Sequence, residues 1–137
     1  MTDAGTMPTL VVGLGCQRGC PVEILRALLD RTLSTHRFER AQIRALASID
    51  LKREEPALLA LAAELEVPLG CFSSQQLAPY APQLSHRSTL AYEHTGCYGV
   101  AESAALALAE HLARRPPKLL VPRQKCPQAT LALACAG

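Results

Sequence analysis

The sequence predicts an α/β domain: a three-layer α/β/α sandwich on a mixed, mostly parallel sheet of about five strands, the last of them antiparallel. Short, nearly continuous apolar runs alternate with segments of helical period, the pattern of parallel strands covered on both faces. A length of 137 residues suits one domain, residues 1–137, and is too short for two ordinary ones. The last two apolar runs are separated by too few residues for a crossover helix, so they must run antiparallel to each other.

Residues 1–8 are expected to form a disordered tail. The first strand is the apolar run Thr9 to Leu14. Pro21 suits a first helical turn, Glu23 suits the positive helix end, and Leu25, Leu28, Leu29 and Leu33 recur at spacings of three and four, so a helix lies on the sheet there. Ile43 to Ile49 reads as the second strand, and its polar end is Ser48-Ile49-Asp50-Leu51-Lys52. A second helix runs over Glu54 to Leu65, with Pro56 in its first turn. Val67 to Phe72 is the third strand, followed by a short turn capped by Ser73 or Ser74 and ending at Leu77.

Periodicity is lost from Pro79 to Glu93, where prolines, serines, His86 and Arg87 have the composition of an irregular segment, a functional loop or lid. Helix returns from Val100 to Ala113, with small residues Ala101, Ala104 and Ala105 that permit close approach to a sheet, and Pro116-Pro117 ends it. Lys118 to Val121 and Ala129 to Cys135 are the last two strands.

Composition narrows the function. Apolar residues make up 49% of the chain and charged residues 19%, which excludes a disordered chain, and no apolar run approaches the ~20 residues of a membrane helix. The residues before Thr9 lack a signal core, so the expected location is the cytoplasm, with the six cysteines reduced. A net charge of +2 and few aromatic residues argue against a nucleic-acid partner, and no membrane partner is expected. After Glu110 no acid follows, while Arg114, Arg115, Lys118, Arg123 and Lys125 do, a local excess suited to an anionic ligand.

Two glycine-bearing segments carry the binding signal. Gly13-Leu14-Gly15-Cys16-Gln17-Arg18-Gly19 joins the first strand to its helix, and Thr95-Gly96-Cys97-Tyr98-Gly99 leads into the last helix. Glycines there allow tight turns and leave amide groups free for an anion at a positive helix end. Open α/β sheets bind ligands beyond the carboxyl ends of their parallel strands, which groups Gly13, Gly15, Cys16, Arg18, Gly19, Ser48, Asp50, Lys52, Thr95, Gly96, Gly99 and Lys125 as ligand-binding candidates. Arg18, Lys52 or Lys125 can pair with carboxylates. Asp50 and Glu102 are the candidates for acid–base catalysis, although each also suits a helix start. Cys16 and Cys97 sit where a thiolate would be favoured, and His94 is a candidate ligand donor or proton carrier.

No cofactor is expected. The spacing G-x-G-x-x-x-G departs from the dinucleotide fingerprint, and no Gly-Lys-Ser/Thr of a phosphate loop follows. No metal is expected either, because Cys16 and Cys20 have no mirroring pair and the histidines lack ligand spacing.

In combination, Gly13 to Gly19, Ser48 to Lys52, Gly99-Val100-Ala101-Glu102-Ser103-Ala104-Ala105-Leu106 and the closing Leu120-Val121-Pro122-Arg123-Gln124-Lys125 resemble the cobalamin-biosynthesis family that comprises CobE and the carboxyl-terminal domain of CbiG. The resemblance runs from about Thr9 to Ala134. Because the chain begins almost directly at the first strand, it looks like the stand-alone CobE form of the aerobic route. The resemblance implies a protein that binds, carries or processes a precorrin, with the ring intermediate and other enzymes of the pathway as partners. The alternatives are hydrolysis of a precorrin-5A-like lactone, as implied by CbiG, and an unrelated nucleotide-binding module. The family's ligands are rings fringed with carboxylates, a chemical match to helix amino ends and cations.

Overall fold

The structure is a computed structural model that describes residues 9–136; the expected tail at 1–8 lies outside the described residues. Its strands are β1 (Leu10–Cys16), β2 (Ile43–Ile49), β3 (Leu69–Phe72), β4 (Pro117–Cys126) and β5 (Ala129–Ala136), and its helices are α1 (Val22–His36), α2 (Pro56–Leu65), α3 (Ser74–Leu77), α4 (Thr89–Thr95) and α5 (Val100–Ala113). One sheet orders the strands β3-β2-β1-β5-β4. β1 pairs in parallel with β2, and β2 with β3, whereas β5 runs antiparallel to both of its neighbours, β1 and β4. The predicted three-layer sandwich with a mixed sheet is the observed fold, and β5 is its reversed strand.

The alternation of side chains along β1 builds both outer layers. Leu10, Val12 and Leu14 join Leu25, Leu28 and Leu29 of α1 and Leu58 and Leu61 of α2 in one apolar cluster. Val11, on the other face, joins Ala45, Ala47 and Ile49 of β2 and Ala104, Ala105 and Leu108 of α5 in a second. Small residues on α5 bring the helix close to the sheet. A Cβ on Gly13 would lie 1.8 Å from the carbonyl oxygen of Ala101, so only glycine lets the two main chains touch.

Helix ends follow local chemistry. Ser73 accepts the amide of Gln76 while the Gln76 side chain accepts that of Ser73, a reciprocal cap on α3. Pro56 opens α2, where its missing N–H has no partner to lose.

Several boundaries depart from the sequence reading. Gly15 and Cys16 belong to β1 rather than to a loop, because pairing with Thr130 and Ala129 of β5 extends the strand past Leu14. β3 starts at Leu69, two residues after Val67, and α2 starts at Pro56. The segment from Pro79 to Glu93 is helical in part, with a 3-10 turn over Ala78–Gln83 and then α4, whose Ser88 cap accepts the amide of Ala91. β4 continues past Pro122 to Cys126 and leaves only residues 127–128 between it and β5. Proline is tolerated there because β4 is an edge strand and its register with β5 shifts between Val121 and Gln124.

Candidate functional site

A cleft of about 810 Å³ opens where the carboxyl ends of β1 and β2 meet the β4–β5 hairpin, α4 and the first residue of α5. Its floor is apolar, from Ile49, Val100 and Ala129. Leu51 and Leu90 stand at the cleft as large exposed apolar side chains. Arg18, Lys52 and His94 bring cationic or ionisable nitrogen, while Gln17, Gln128, Ser88, Thr95 and Thr130 bring neutral polar groups. No aspartate or glutamate lines it among the described residues. α5 begins here at Val100 without a side-chain cap on its amino end, so the positive end of its dipole faces the same space.

Of the residues nominated from sequence, Gly15, Cys16, Arg18, Lys52, His94 and Thr95 line this cleft. The two glycine-bearing segments therefore meet at one site. Gly15 is small because Thr130 stands beside it: a Cβ there would lie 2.8 Å from the threonine Oγ1.

The other candidates are placed elsewhere, each for a physical reason. Gly13 is buried against α5. Gly19 adopts a positive φ of 79°, and its N–H donates to the Glu55 carboxylate at 2.8 Å, so that amide is satisfied within the protein. Ser48 is fully buried and donates its hydroxyl to the Leu14 carbonyl, tying β2 to β1. Asp50 opens the 3-10 turn that follows β2, and its carbonyl accepts the amide of Arg53. Gly96 closes α4 with a positive φ of 78°, donating its N–H to the Tyr92 carbonyl. Gly99 precedes α5 under Leu84, where a Cβ would meet that side chain at 3.2 Å. Lys125 is exposed on β4 opposite Thr130.

Glu102 is the largest departure from the catalytic expectation. Its carboxylate is 1% exposed and accepts the amide and hydroxyl of Ser85 and the amide of Arg123. The irregular register of β4 turns the Arg123 amide away from β5 and toward α5, which makes that bond available. Glu102 thus fastens the segment leading to α4 and the strand leading to the hairpin, two walls of the cleft, without touching the cleft itself.

Burial pushes the Cys16 thiol up to about 11, reinforced by neighbouring Cys20 and Glu55 and opposed by Lys52. That is the opposite of what a nucleophile requires. Cys97 is buried and donates its Sγ–H to Ser103 Oγ at 3.7 Å. Among the described residues no group of three or more potential ligands is placed to hold a metal ion.

Sequence reasoning missed Gln17, Gln128, Thr130, Ser88 and Leu90. Gln17 carried a usable signal, adjacent as it is to Arg18 in the first glycine segment. The hairpin residues carried none, because their position depends on β5 being inserted between β1 and β4. No helix among the described residues is long and apolar enough to cross a membrane.

Comparison with known proteins agrees with this architecture. The family described as "Cobalamin synthesis G C-terminus" matches residues 10–134. "Protein CobE" of Sinorhizobium sp is 39% identical over 125 residues, covering 91% of this chain and 79% of that protein. A cobalt-precorrin-5A hydrolase of Priestia megaterium is 32% identical over 97 residues, 71% of this chain but only 25% of the hydrolase. A crystal structure of CobE, described as a protein from the cobalamin (vitamin B12) biosynthetic pathway, superimposes with a TM-score of 0.89 at 47% identity, covering 93% of this chain and 89% of that one. The chain is therefore a cobalamin biosynthesis protein and belongs to the family formed by CobE and the carboxyl-terminal domain of CbiG.

Proposed function

We propose that the cleft binds a corrin-ring precursor of the aerobic cobalamin pathway and carries it between enzymes in the cytoplasm. One observation carries this reading: the cleft combines an apolar floor with Arg18, Lys52 and His94 and holds no carboxylate among the described residues. A precorrin has complementary chemistry, an apolar ring with carboxylates at its edge. Helix amino ends and side-chain cations stabilise those carboxylates, and the floor removes the ring from water.

Carriage is favoured over hydrolysis of a lactone because neither nominated acid borders the cleft. Glu102 is saturated by internal donors, and Asp50 lies in the turn beside it. A general base must come within hydrogen-bond reach of its proton. A nucleotide-binding module is disfavoured for a different reason. Gly13 is pressed on α5 and the Gly19 amide is taken by Glu55, so the first glycine segment offers no free run of amides to a phosphate.

The test is a titration of the purified protein with hydrogenobyrinic acid, followed by the absorption spectrum of the ring. Saturable binding is expected, retained in Asp50→Asn, with no turnover of a precorrin-5A-like lactone. A featureless titration, or lactone opening abolished by Asp50→Asn, would reject carriage.

A further inference from the structure

Leu51 and Leu90 belong to different parts of the fold, the 3-10 turn after β2 and the first turn of α4, yet both line the same cleft. Each is 64% exposed, an unfavourable arrangement for two leucines that face a common apolar floor. A single exposed leucine needs no explanation; two that border one cavity mark a surface awaiting an apolar ligand.

Each leucine is coupled to a nitrogen-bearing neighbour that also lines the cleft. Lys52 follows Leu51 directly, and His94 lies one helical turn after Leu90, on the same face of α4. Each side thus offers an apolar contact for the face of a flat ring and, beside it, a nitrogen for a group on the ring's edge.

The two sides differ in how they are held. Leu51 lies two residues after Ile49, the last residue of β2, which is buried in the core. α4 has no buried residue of its own. Hydrogen bonds anchor the chain just ahead of it, where the Ser88 amide donates to the Tyr98 carbonyl and Ser85 bonds Glu102. The Tyr92 ring stacks on Tyr98, and Arg87 covers that ring from 4.7 Å. These contacts preserve α4 as a unit but do not fasten its inner face to the domain.

We propose that Leu51 and Leu90 are the two sides of an apolar clamp that grips the flat face of the ring, with α4 as its movable arm. The clamp rests on the ring-binding reading above and adds to it the residues that select a flat apolar face over other polycarboxylates. An open-chain polycarboxylate such as citrate would satisfy the cations and leave both leucines in water.

The experiment uses the full chain, hydrogenobyrinic acid as ring probe and citrate as the acyclic probe, with Leu51→Ser, Leu90→Ser and the double variant. Because both side chains are exposed, the melting temperatures of the variants should match that of the parent. Each single variant is expected to bind the ring about tenfold more weakly, and the double variant more weakly than either, with citrate binding unchanged. In the parent protein the ring should slow amide hydrogen exchange across residues 89–95, and citrate should not. Serine variants that bind the ring within twofold of the parent, or exchange at 89–95 that the ring leaves unaltered, would overturn the clamp. If Arg18→Ala weakens ring binding in that same case, the ring-binding reading survives without the clamp. Failure of the parent to bind the ring removes both.

Discussion

The main chains of Gly13 and Ala101 meet without a side chain between them: a Cβ added to Gly13 would lie 1.8 Å from the Ala101 carbonyl oxygen and 2.8 Å from the Ala105 amide nitrogen. This contact seats α5 on β1 and so sets where the amino end of α5 enters the cleft. Backbone atoms in a helix cannot yield as a flexible side chain does. Gly13→Ala should therefore cost about 3 kcal/mol or more through overpacking, a loss of roughly 10 °C in melting temperature for a domain of this size. Thermal denaturation followed by circular dichroism checks it, and an unchanged midpoint would contradict the close packing.

Glu102 is the buried acceptor for donors from two segments, the Ser85 amide and hydroxyl and the Arg123 amide, and its removal takes that shared partner from both. Glu102→Ala should destabilise the fold by about 3 kcal/mol and Glu102→Gln by roughly 1–2 kcal/mol, because the amide can accept fewer of these bonds. Urea denaturation measures both. Ring affinity of Glu102→Gln, measured where the variant is fully folded, should stay near that of the parent; a large loss of turnover without a loss of stability would restore a catalytic role.

Cys16 lines the cleft yet should react slowly. Burial raises its thiol from 9.0 to about 11, so the thiolate is scarce at neutral pH. Alkylation by iodoacetamide at pH 7.5 should be slower at Cys16 than at a free cysteine in the unfolded chain, as read by peptide mass spectrometry. The sign of the linked stability follows: below pH 9 the thiol is neutral in both states, and between pH 9 and 11 the unfolded chain ionises first, so stability falls as pH rises.

Tyr80 donates its hydroxyl to Glu110 at 2.5 Å, joining the 3-10 turn after α3 to α5. Burial and the adjacent carboxylate push its hydroxyl up to about 12 from 10.0. The contribution is complete below pH 10 and disappears as pH climbs toward 12, because the unfolded chain releases its proton first. Tyr80→Phe should cost about 1 kcal/mol at neutral pH and flatten the decline above pH 10. Parallel denaturation curves for parent and variant at pH 7 and pH 11 decide it.

Arg18 and Lys52 line the cleft from the segment after β1 and the turn after β2. Replacing either with alanine should weaken binding of a carboxylated ring roughly three- to tenfold and reduce its sensitivity to salt, since exposed charge pairs are screened. Lys125→Ala, outside the cleft, should change affinity little. Titrations at low and high ionic strength separate the outcomes.

The five strands, the helices α1, α2 and α5, the reversed final strand and the buried face of α1 were legible in the chain, whereas α4 was not and Leu59 and Leu112, expected to face inward, are exposed. The legible features depend on local properties: apolar runs, three-and-four spacing, and the prolines and glycines at element ends. Leu25, Leu28 and Leu29 announce a buried face wherever the helix lies. The meeting of Gly15 and Arg18 with Lys52 and Thr95 was also inferable, because the carboxyl ends of parallel strands converge by topology.

Only the tertiary structure decided which of these residues face a ligand. Gly13 and Gly15 are two residues apart on one strand and point to the same side, yet Gly13 meets the backbone of α5 and Gly15 meets the cleft. Glu55 captures the Gly19 amide, and Ser85 and Arg123 capture Glu102. Hydrogen-bond partners distant in sequence determine whether a polar group is spent inside the protein or left for a ligand. β5 likewise carries Thr130 to the site only because it lies between β1 and β4. Local pattern specifies what each segment becomes; long-range packing and the saturation of buried polar groups specify what each side chain remains free to do.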